Sequence, residues 1–504
     1  MTRRLGLATV VVVALAACAT EKVNPAVASR DSTAETLGIV STAFELEPRA
    51  NALGALERDA RRRAARFREV TSPGFLFAAT RVPQGELDAG LWSPSELYEL
   101  GGQLFTQRFR REDGYGAADL PAFGRFQRGE RGGPDAEQCA DCHRRGGLAG
   151  AGDASDNAYP YGDGENPDTG LERNAPSLTG LGLRELLARE ITAELAAERA
   201  ALFDKAKETG APVRGKLSAK GLDFGSFTAR PNGTVDASEV VGIEPDLVVR
   251  PFGWKGHSRT IREMVESELA THHGMQSAWF VAHATTAAKG AQPQPDPDGD
   301  GVTDEISEGQ VSALTLFLAM QEVPTVEPPI VLVELGQANT NLFPRWLDGA
   351  TRFRSLGCAT CHVPELPLAS ASFTLESRTG AAPVTIDLAK DGAAPRIVPL
   401  ADGTLLVRAF TDFKRHDLGP KLADAFSERG LASSSFLTPS LWGVARTRPY
   451  LHDGRAPTLE AAILMHGGEA EASRDAYEAL SDHDRGGLRV YLTSLTRARR
   501  FAVP

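Results

Sequence analysis

Cysteine is scarce in this sequence, with five residues in a chain of 504. A basic surplus is also missing, because 55 Lys and Arg residues stand against 66 Asp and Glu residues and give a formal net charge of -11. Binding to nucleic-acid phosphates needs a basic surface, so this balance excludes nucleic acid as the expected partner. An acidic surface is instead compatible with a basic redox partner.

Long apolar runs are lacking as well. The run at residues 7–17 is too short to span a bilayer as a mature helix, and it follows two arginines and precedes Cys18, as in an export signal. Small residues before the cysteine resemble a bacterial lipobox, which predicts a lipoprotein signal peptide at 1–17 and lipidation of Cys18; ordinary signal cleavage is the alternative. We expect a periplasmic, lipid-anchored protein, and Ala19 favours the outer membrane by resemblance to sorted lipoproteins.

The other four cysteines lie in two copies of one motif, C-x-x-C-H. Its members are Cys139, Cys142 and His143 in the first copy and Cys358, Cys361 and His362 in the second. Two intervening residues bring both thiols to one edge of a porphyrin, and the histidine that follows lies beneath its iron. Zinc is the alternative, but it needs further Cys or His ligands at matching spacing, which neither copy has nearby. The sequence therefore predicts two covalently bound haem c groups.

The chain divides by composition into four predicted regions. They are the signal peptide at 1–17, a tether with an N-terminal helix at 18–90, an N-terminal haem domain at 91–325 and a C-terminal haem domain at 326–504. We expect a mainly α fold with two cytochrome c-like haem domains and irregular insertions, one of them at 209–240 and a β-prone one at 370–406. Predicted helices include one opened by the capping box at Ser93 and others at 183–207 and 307–321.

An acidic turn precedes the last of these helices. Asp296, Asp298 and Asp300 alternate around Gly299, which is the chemistry of hard oxygen ligands on a tight bend. Calcium binding is one prediction for this loop, and a solvated turn that caps the following helix is the other.

A set of short motifs in the C-terminal half resembles one family. The segments read Leu-Thr-Pro-Ser-Leu-Trp-Gly at 437–443, Thr-Arg-Pro-Tyr-Leu-His-Asp-Gly at 447–454 and Met-His-Gly-Gly-Glu-Ala at 465–470. They are similar to the bacterial di-haem cytochrome c peroxidase superfamily, nearest its di-haem oxidoreductase branch, with MauG and the rubber oxygenases as relatives. The resemblance covers both haem domains and implies a peroxidase-like oxidoreductase in which the C-terminal haem passes electrons to an active N-terminal haem.

The resemblance also implies ligands around the C-terminal haem. In the family the distal ligand follows the histidine of the Tyr-x-His-x-Gly motif, here His452, and the count leads to His466, with Met465 as the alternative. A pair of imidazoles saturates the iron, so this haem would relay electrons rather than bind substrate. A family calcium site between the domains maps to Asn174 and, in a separate segment, to the backbone carbonyls of Thr447 and Pro449.

Around the N-terminal haem the resemblance is looser. Trp254 matches a family tryptophan between the haems, although a large indole is by default a packing residue. The place of the family's catalytic acid holds His272, and the place of an assisting Gln holds Met264. For His272, acid–base catalysis, a sixth iron ligand and a structural role all stay open, and Glu266 and Glu268 are reserve catalytic candidates.

Three functions follow from these residues. The first is peroxide reduction with electrons from a periplasmic donor; the second is an O₂-dependent oxygenase that acts on a small organic substrate; the third is a pure electron-transfer cytochrome. His257, His416 and His483 lie in no motif, and we expect them to be surface or core residues.

Overall fold

The computed structural model describes residues 84–88, 92–116, 136–161, 166–283, 301–303, 305–328, 342–376, 378 and 383–497. All of them fall within one compact unit. The predicted signal peptide, Cys18, the tether and the acidic turn with Asp296, Asp298 and Asp300 lie outside the described residues. None of the helices in the described ranges has both the length and the apolar character needed to cross a membrane.

Helices predominate, as predicted, and the strands are short. The helices are α1 Gln84–Asp88, α2 Pro94–Thr106, α3 Cys139–Cys142, α4 Leu181–Thr209, α5 Ile261–Glu268, α6 Ala278–His283, α7 Glu308–Ala319, α8 Leu342–Ser355, α9 Cys358–Cys361, α10 Leu459–Met465, α11 Glu471–Glu478 and α12 Asp482–Ser494. The strands are β1 Val213–Ala219, β2 Leu222–Ala229, β3 Val235–Asp236, β4 Thr325–Val326, β5 Leu366–Leu368, β6 Ser372–Leu375, β7 Val384–Asp387, β8 Leu405–Val407, β9 Arg415–Asp417, β10 Ser435–Leu437 and β11 Leu495–Thr496.

The helix pair α2 and α7 lies beside the first C-x-x-C-H motif. The predicted capping box opens α2, since Ser93 Oγ accepts from Glu96 N at 3.3 Å and the Glu96 carboxylate accepts from Ser93 N at 2.7 Å. The two helices cross at Gly101, where a Cβ would overlap the backbone carbonyl of Ala313. Glycine therefore sets how closely these helices approach.

The pair α8 and α12 lies beside the second motif and crosses in the same way. A Cβ on Gly349 of α8 would overlap the carbonyl of Gly487 on α12. Phe353 and Tyr491 pack against each other with ring centroids 5.5 Å apart. After α8 the chain turns at Gly357, whose φ of 86° suits glycine, and enters the helical turn α9 that carries the thiols.

The segment predicted as an irregular insertion at 209–240 is ordered, so that expectation is wrong. Strands β1, β2 and β3 form an antiparallel sheet in that order, and β1 packs against the long helix α4. Leu217, Phe224 and Phe227 are almost fully buried between sheet and helix. Gly215 and Gly225 interrupt the two main strands and weaken their β propensity, which hid the alternating pattern in the sequence.

The segment that connects the two halves of the chain is paired with the last described strand. β4 and β11 are antiparallel, with Val326 opposite Leu495. Just beyond β11, Arg497 forms a buried ion pair with Glu322 and donates to the carbonyls of Leu148 at 2.5 Å and Gly146 at 3.3 Å. The end of the described chain is thus attached to the loop that follows the first C-x-x-C-H motif.

Candidate haem sites

Each C-x-x-C-H motif forms a single helical turn on the wall of its own cavity. All four thiols are partly buried, and no disulfide joins them. Burial raises the pKa of Cys139 to about 12 and that of Cys358 to about 11, so these thiols are protonated at neutral pH.

The C-terminal cavity has a volume of about 380 Å³, and His362 and His466 both line it. His362 Nδ1 lies 3.1 Å from the carbonyl of Phe410, and His466 Nδ1 lies 2.8 Å from the carbonyl of Ala462. Burial lowers the pKa of His362 to about 4 and also lowers that of His466. Both rings are therefore neutral at pH 7, and hydrogen bonding through Nδ1 leaves Nε2 available to iron.

Met465, the alternative distal ligand, is the last residue of α10 and is absent from the wall of this cavity. His466 caps the same helix in an extended conformation, with φ of −61° and ψ of 134°. The change from helical to extended backbone at His466 separates the directions of the two neighbouring side chains. The structure therefore brings His466, and not Met465, to the cavity that His362 lines.

Polar groups on the wall of the C-terminal cavity are suited to a haem. Arg184 Nε, Ser440 Oγ and Trp442 Nε1 belong to residues that line it, and each is buried without a hydrogen-bond partner among the described residues. Unsatisfied buried donors are costly in a native protein. Haem carries two propionate carboxylates, which are acceptors of the kind that these donors lack, so the residues present fit this cofactor.

The N-terminal cavity has a volume of about 200 Å³ and is lined by both thiols of the first motif. His143 Nδ1 lies 3.2 Å from the carbonyl of Gly150 and 3.0 Å from that of Pro176. Burial lowers the pKa of His143. The ring is therefore held through Nδ1 by backbone carbonyls, as His362 is in the other cavity.

Two of the predicted catalytic residues meet on the wall of the N-terminal cavity. His272 Nε2 lies 2.8 Å from Glu268 Oε2, and both residues line the cavity. Burial raises the pKa of Glu268, but the hydrogen bond and positive charge of His272 outweigh burial and hold the pKa below its ordinary value. The backbone there leaves α-helical geometry and forms one π-helical turn at Leu269–His273, a feature frequent at functional sites.

Met264 and Glu266, two further positions singled out near the N-terminal haem, differ in whether they line the cavity. Met264 lines the cavity, as the resemblance implies. Glu266 does not line it, because its carboxylate forms ion pairs with Arg378 and, at 3.7 Å, with Arg262. Burial raises the pKa of Glu266, and Arg378 partly offsets that effect. The structure thus places Glu266 in an ion-pair cluster away from the haem site.

His273, for which no role was predicted from the sequence, also lines the N-terminal cavity and is almost fully buried. Its ring packs edge-on against Phe109 at 5.6 Å, and its Nε2 lies 3.8 Å from Cys139 Sγ. Burial lowers its pKa to about 4. His273 is therefore a neutral wall residue beside a thiol, and two adjacent histidines with such different surroundings could not be told apart by sequence.

Trp254 lines both cavities. Its Nε1 donates to the carbonyl of Asn174 at 2.8 Å, and its ring meets His452 edge-on, with centroids 6.5 Å apart. His452 lines the C-terminal cavity, stacks on Phe436 at 4.3 Å and has a pKa that burial lowers to about 4. The indole therefore occupies the wall shared by the two predicted haem sites.

A cluster of buried ion pairs surrounds this shared wall. Asp424 accepts from Arg173 at 2.7 Å and from Lys255, which is fully buried, at 2.9 Å. Glu428 accepts from Arg173 at 2.8 Å and from His257 at 2.9 Å. His257, expected to carry no special role, thus belongs to a buried network whose charges satisfy one another.

The predicted family calcium residues lie near one another on the C-terminal cavity, which Asn174, Thr447 and Pro449 all line. The side chain of Asn174 is engaged, since its Nδ2 donates to Asp153 O at 3.0 Å and to Asn157 Oδ1 at 2.8 Å. Asparagine and backbone oxygens suit calcium. This arrangement leaves calcium at this position a prediction.

His416 is a second residue for which the sequence predicted no functional role. It lies on the wall of the C-terminal cavity, with Nε2 2.9 Å from Asp412 and Nδ1 2.7 Å from Glu469. Burial lowers its pKa, but Asp412, Cys361 and Glu469 outweigh burial and raise the pKa to about 11. Among the described residues, Cys361, Asp412 and His416 form the single group with metal-ligand geometry, and Cys361 belongs to a haem motif.

Comparison with known proteins agrees with this geometry. Residues 343–495 match the family model described as "Di-haem oxidoreductase, putative peroxidase". The matched range contains the second C-x-x-C-H motif, His416, His452 and His466. No curated protein matches the chain in sequence.

Two solved structures are similar to the chain at low sequence identity. Hydrazine synthase from Kuenenia stuttgartiensis, in a structure pressurised with xenon, is 13% identical, with 82% of this chain and 93% of that chain covered at a TM-score of 0.34. A MauG-like protein associated with microbial copper homeostasis is 14% identical, with 80% of this chain and 88% of that chain covered at a TM-score of 0.32. At these TM-scores neither likeness supports a conclusion on fold or function.

Proposed function

We propose that this chain, in which residues 343–495 match the di-haem oxidoreductase family model, acts as an exported peroxidase-like haem oxidoreductase. Two electrons and two protons would convert one peroxide molecule into two waters. When bound, haem iron supplies the redox chemistry. The protein must then keep one haem site closed for electron relay and provide a proton-transfer group at the other.

The C-terminal site has the features of the relay. His362 and His466 are buried, are neutral at pH 7 and line the same cavity, and each is held through Nδ1 by a backbone carbonyl. His362 and His466 would together hold the haem iron, and an iron held by two imidazoles would have no position left for substrate. We therefore assign electron entry to this site.

One observation supports the N-terminal site as the place of chemistry: His272 is bonded through Nε2 to a carboxylate, whereas the three axial candidates are bonded through Nδ1 to carbonyls. An imidazole whose Nε2 donates to Glu268 has that nitrogen occupied, which disfavours the sixth-ligand role. A carboxylate partner also orients the ring and favours its protonated form. We therefore assign His272 the transfer of the peroxide proton, with Glu268 as its partner.

Trp254 is the residue best located to connect the two sites, because it lines both cavities. Its indole N–H donates to the Asn174 carbonyl, and its ring contacts His452, so its orientation is fixed from two sides. A fixed aromatic ring between two redox centres needs no rearrangement when an electron passes. This position supports electron passage through Trp254 rather than a packing role alone.

The O₂-dependent oxygenase is the second candidate, and one observation favours it. Met264 stands where the resemblance implies an assisting Gln, and it lines the N-terminal cavity beside Val265 and Leu269. An apolar wall of this kind accommodates an organic substrate better than a peroxide alone. Peroxide remains the first proposal because a proton-transfer pair lies in the same cavity.

The location and the electron donor follow from the sequence. The signal-like segment before Cys18 supports export and lipid anchoring on the periplasmic side of the outer membrane. The net charge of −11 supports a basic periplasmic electron donor.

Electron paramagnetic resonance of the haem-loaded protein tests these assignments. We expect one low-spin ferric signal from the C-terminal haem and one haem with an open or exchangeable position. A wholly low-spin spectrum in every redox state would contradict both enzyme proposals and leave a pure electron-transfer protein. Rapid peroxide turnover with a reduced cytochrome, without oxidation of organic substrates, would favour the peroxidase over the oxygenase.

Replacing Trp254 tests the relay. In Trp254→Phe we expect electron transfer between the haems, followed by stopped-flow absorbance, to slow while both spin states stay unchanged. Trp92→Phe is the matched control, since Trp92 is partly buried and bonds Glu86 rather than lining either cavity. Equal transfer rates in both variants would return Trp254 to a packing role.

A further inference from the structure

One short segment, residues 410–417, contacts the surroundings of both predicted axial histidines of the C-terminal haem; we name it the brace segment. At its start, the carbonyl of Phe410 lies 3.1 Å from Nδ1 of His362. Near its end, His416 lies on strand β9 and lines the same cavity. One end of the segment therefore contacts His362, and the other end lines the cavity that His362 also lines.

His416 links the brace segment to the loop that follows His466. Its Nε2 lies 2.9 Å from Asp412, which is fully buried, and its Nδ1 lies 2.7 Å from Glu469, three residues after His466. Hydrogen bonds between charged partners are roughly twice as strong as neutral ones. Asp412 thus fixes the ring from inside the protein, and the ring fixes the loop through Glu469.

The loop of His466 is also held directly against the brace segment. The backbone N–H of Asp417 donates to the second oxygen of Glu469 at 2.8 Å. Gly468 lies so close to the Asp417 carbonyl that a Cβ there would overlap it, and its φ of 53° further suits glycine. Glu469 therefore uses both carboxylate oxygens to bind one segment, and no side chain intervenes between the two backbones at Gly468.

The brace segment has unusual backbone geometry. Phe410 and Phe413 have φ angles of 54° and 59°, in the left-handed region that bulky side chains rarely adopt, and both are buried. Such a conformation is unfavourable and persists where the surroundings impose it. Imposed backbone geometry is expected of a segment that must hold two other groups at a fixed separation.

We infer that the brace segment sets the position of both axial imidazoles, and that His416, Asp412 and Glu469 are positioning residues for His466. This inference rests on the proposed role of His466 as the distal ligand. The brace keeps the C-terminal haem closed to small molecules, and so it confines peroxide or O₂ to the N-terminal site. Without the brace, the loop at 466–469 loses the charged hydrogen bond between His416 and Glu469, three residues from His466.

The test uses the full-length, haem-loaded protein with His416→Gln and Glu469→Gln, and Glu478→Gln as the control. Glu478 is exposed on helix α11 and its carboxylate takes part in no ion pair among the described residues. The readouts are the low-spin ferric signal of the C-terminal haem and carbon monoxide binding to its reduced form. We expect His416→Gln to increase carbon monoxide affinity at this haem by roughly tenfold or more. Glu469→Gln should have a smaller effect, because it keeps one acceptor, and the control should have none.

His466→Ala separates this inference from the proposal beneath it. If His466→Ala abolishes the low-spin signal while His416→Gln leaves both readouts unchanged, the brace is wrong and the ligand assignment stands. If His466→Ala leaves the low-spin signal intact, both are overturned. The haem-to-protein ratio of each variant, from the pyridine haemochrome spectrum, shows whether the cofactor is retained; Glu469 is more than half exposed, so Glu469→Gln provides a test less prone to misfolding.

Discussion

The two haem cavities are built from the same parts and differ on one side. In each, a helical C-x-x-C-H turn supplies a histidine whose Nδ1 faces a backbone carbonyl, from Phe410 in one case and from Gly150 and Pro176 in the other. Elsewhere on its wall, the C-terminal cavity has His466, again bonded to a carbonyl, whereas the N-terminal cavity has His272 bonded to a carboxylate.

Under the proposed function, this difference would let one fold hold both a relay site and a reactive site. A carbonyl cannot take up a proton, so an imidazole bonded to it keeps one tautomer and serves as a fixed ligand. A carboxylate stabilises the imidazolium, so an imidazole bonded to it can gain and lose a proton. The hydrogen-bond partner of the second histidine, a carbonyl for His466 and a carboxylate for His272, therefore distinguishes the two cavities more clearly than the motifs do.

The largest effect is expected when the imidazole of His272 is removed from the N-terminal cavity. In His272→Ala we expect peroxide turnover to fall by roughly 10²–10⁴-fold, the usual contribution of a positioned acid–base group. The spin states of both haems should stay as they are, because His272 is not expected to bind iron. Steady-state assays and electron paramagnetic resonance measure the two effects.

His483→Ala is the control for that experiment, since His483 is largely exposed and lies outside both cavities. Full turnover in His272→Ala would show that the proton is handled elsewhere in the cavity. A change of spin state at the N-terminal haem would instead assign His272 the role of iron ligand.

A second prediction concerns the ion pairs around the wall that the cavities share. Burial raises the pKa of Glu428, but His257 and Arg173 outweigh burial and lower the pKa to about 2, below an ordinary value of 4.5. A lowered pKa means that the stabilisation is complete above the ordinary value and is lost as pH falls through about 2. The loss amounts to about 3 kcal/mol at most. Urea unfolding between pH 6 and pH 2, followed by circular dichroism, measures it.

In Glu428→Gln, the loss of unfolding free energy between pH 6 and pH 2, here called the acid limb, should become smaller. The free energy of unfolding at pH 6 should also fall, because Arg173 and His257 keep no charged partner at this position. Glu478→Gln should leave the acid limb intact. An unchanged limb in Glu428→Gln would mean that other carboxylates govern acid unfolding.

The mildest change tests the partner of His272 rather than the ring itself. Glu268→Gln keeps the size of the side chain and an oxygen acceptor but removes the charge, so we expect roughly a tenfold loss of peroxide turnover. Glu263→Gln on the same helix is the control, because Glu263 pairs with Arg259 and does not line the cavity. A loss as large as that of His272→Ala would make Glu268 itself the acid–base group.

Much of this arrangement could be predicted from the sequence, because it depends on local spacing. The C-x-x-C-H turns, the capping box at Ser93 and the long helix at Leu181–Thr209 follow from residues near one another in the chain. His466 was predicted as an iron ligand from its distance in sequence from His452, and it lines the same cavity as His362. The family that the C-terminal motifs resemble is also the one whose model matches residues 343–495.

What escaped prediction depends on contacts between distant segments. His416 has one of its two carboxylate partners, Glu469, more than fifty residues away, and Glu266 pairs with Arg378, more than a hundred residues away, rather than lining the cavity. No spacing rule records such contacts. The sheet of β1 to β3 was missed for a different reason, since glycines within the strands obscured their alternation.

The attachment of Arg497 to the loop at 146–148 has a consequence for the order in which the protein matures. Synthesis proceeds from the N-terminus, so the first C-x-x-C-H motif emerges long before the residue that fastens the loop behind it. Until residues 495–497 arrive, the loop behind the first motif lacks the hydrogen bonds that Arg497 donates to the carbonyls of Gly146 and Leu148. A chain shortened by residues 495–497 would therefore lose contacts in both halves, namely those of Arg497 with the loop at 146–148 and the pairing of β11 with β4.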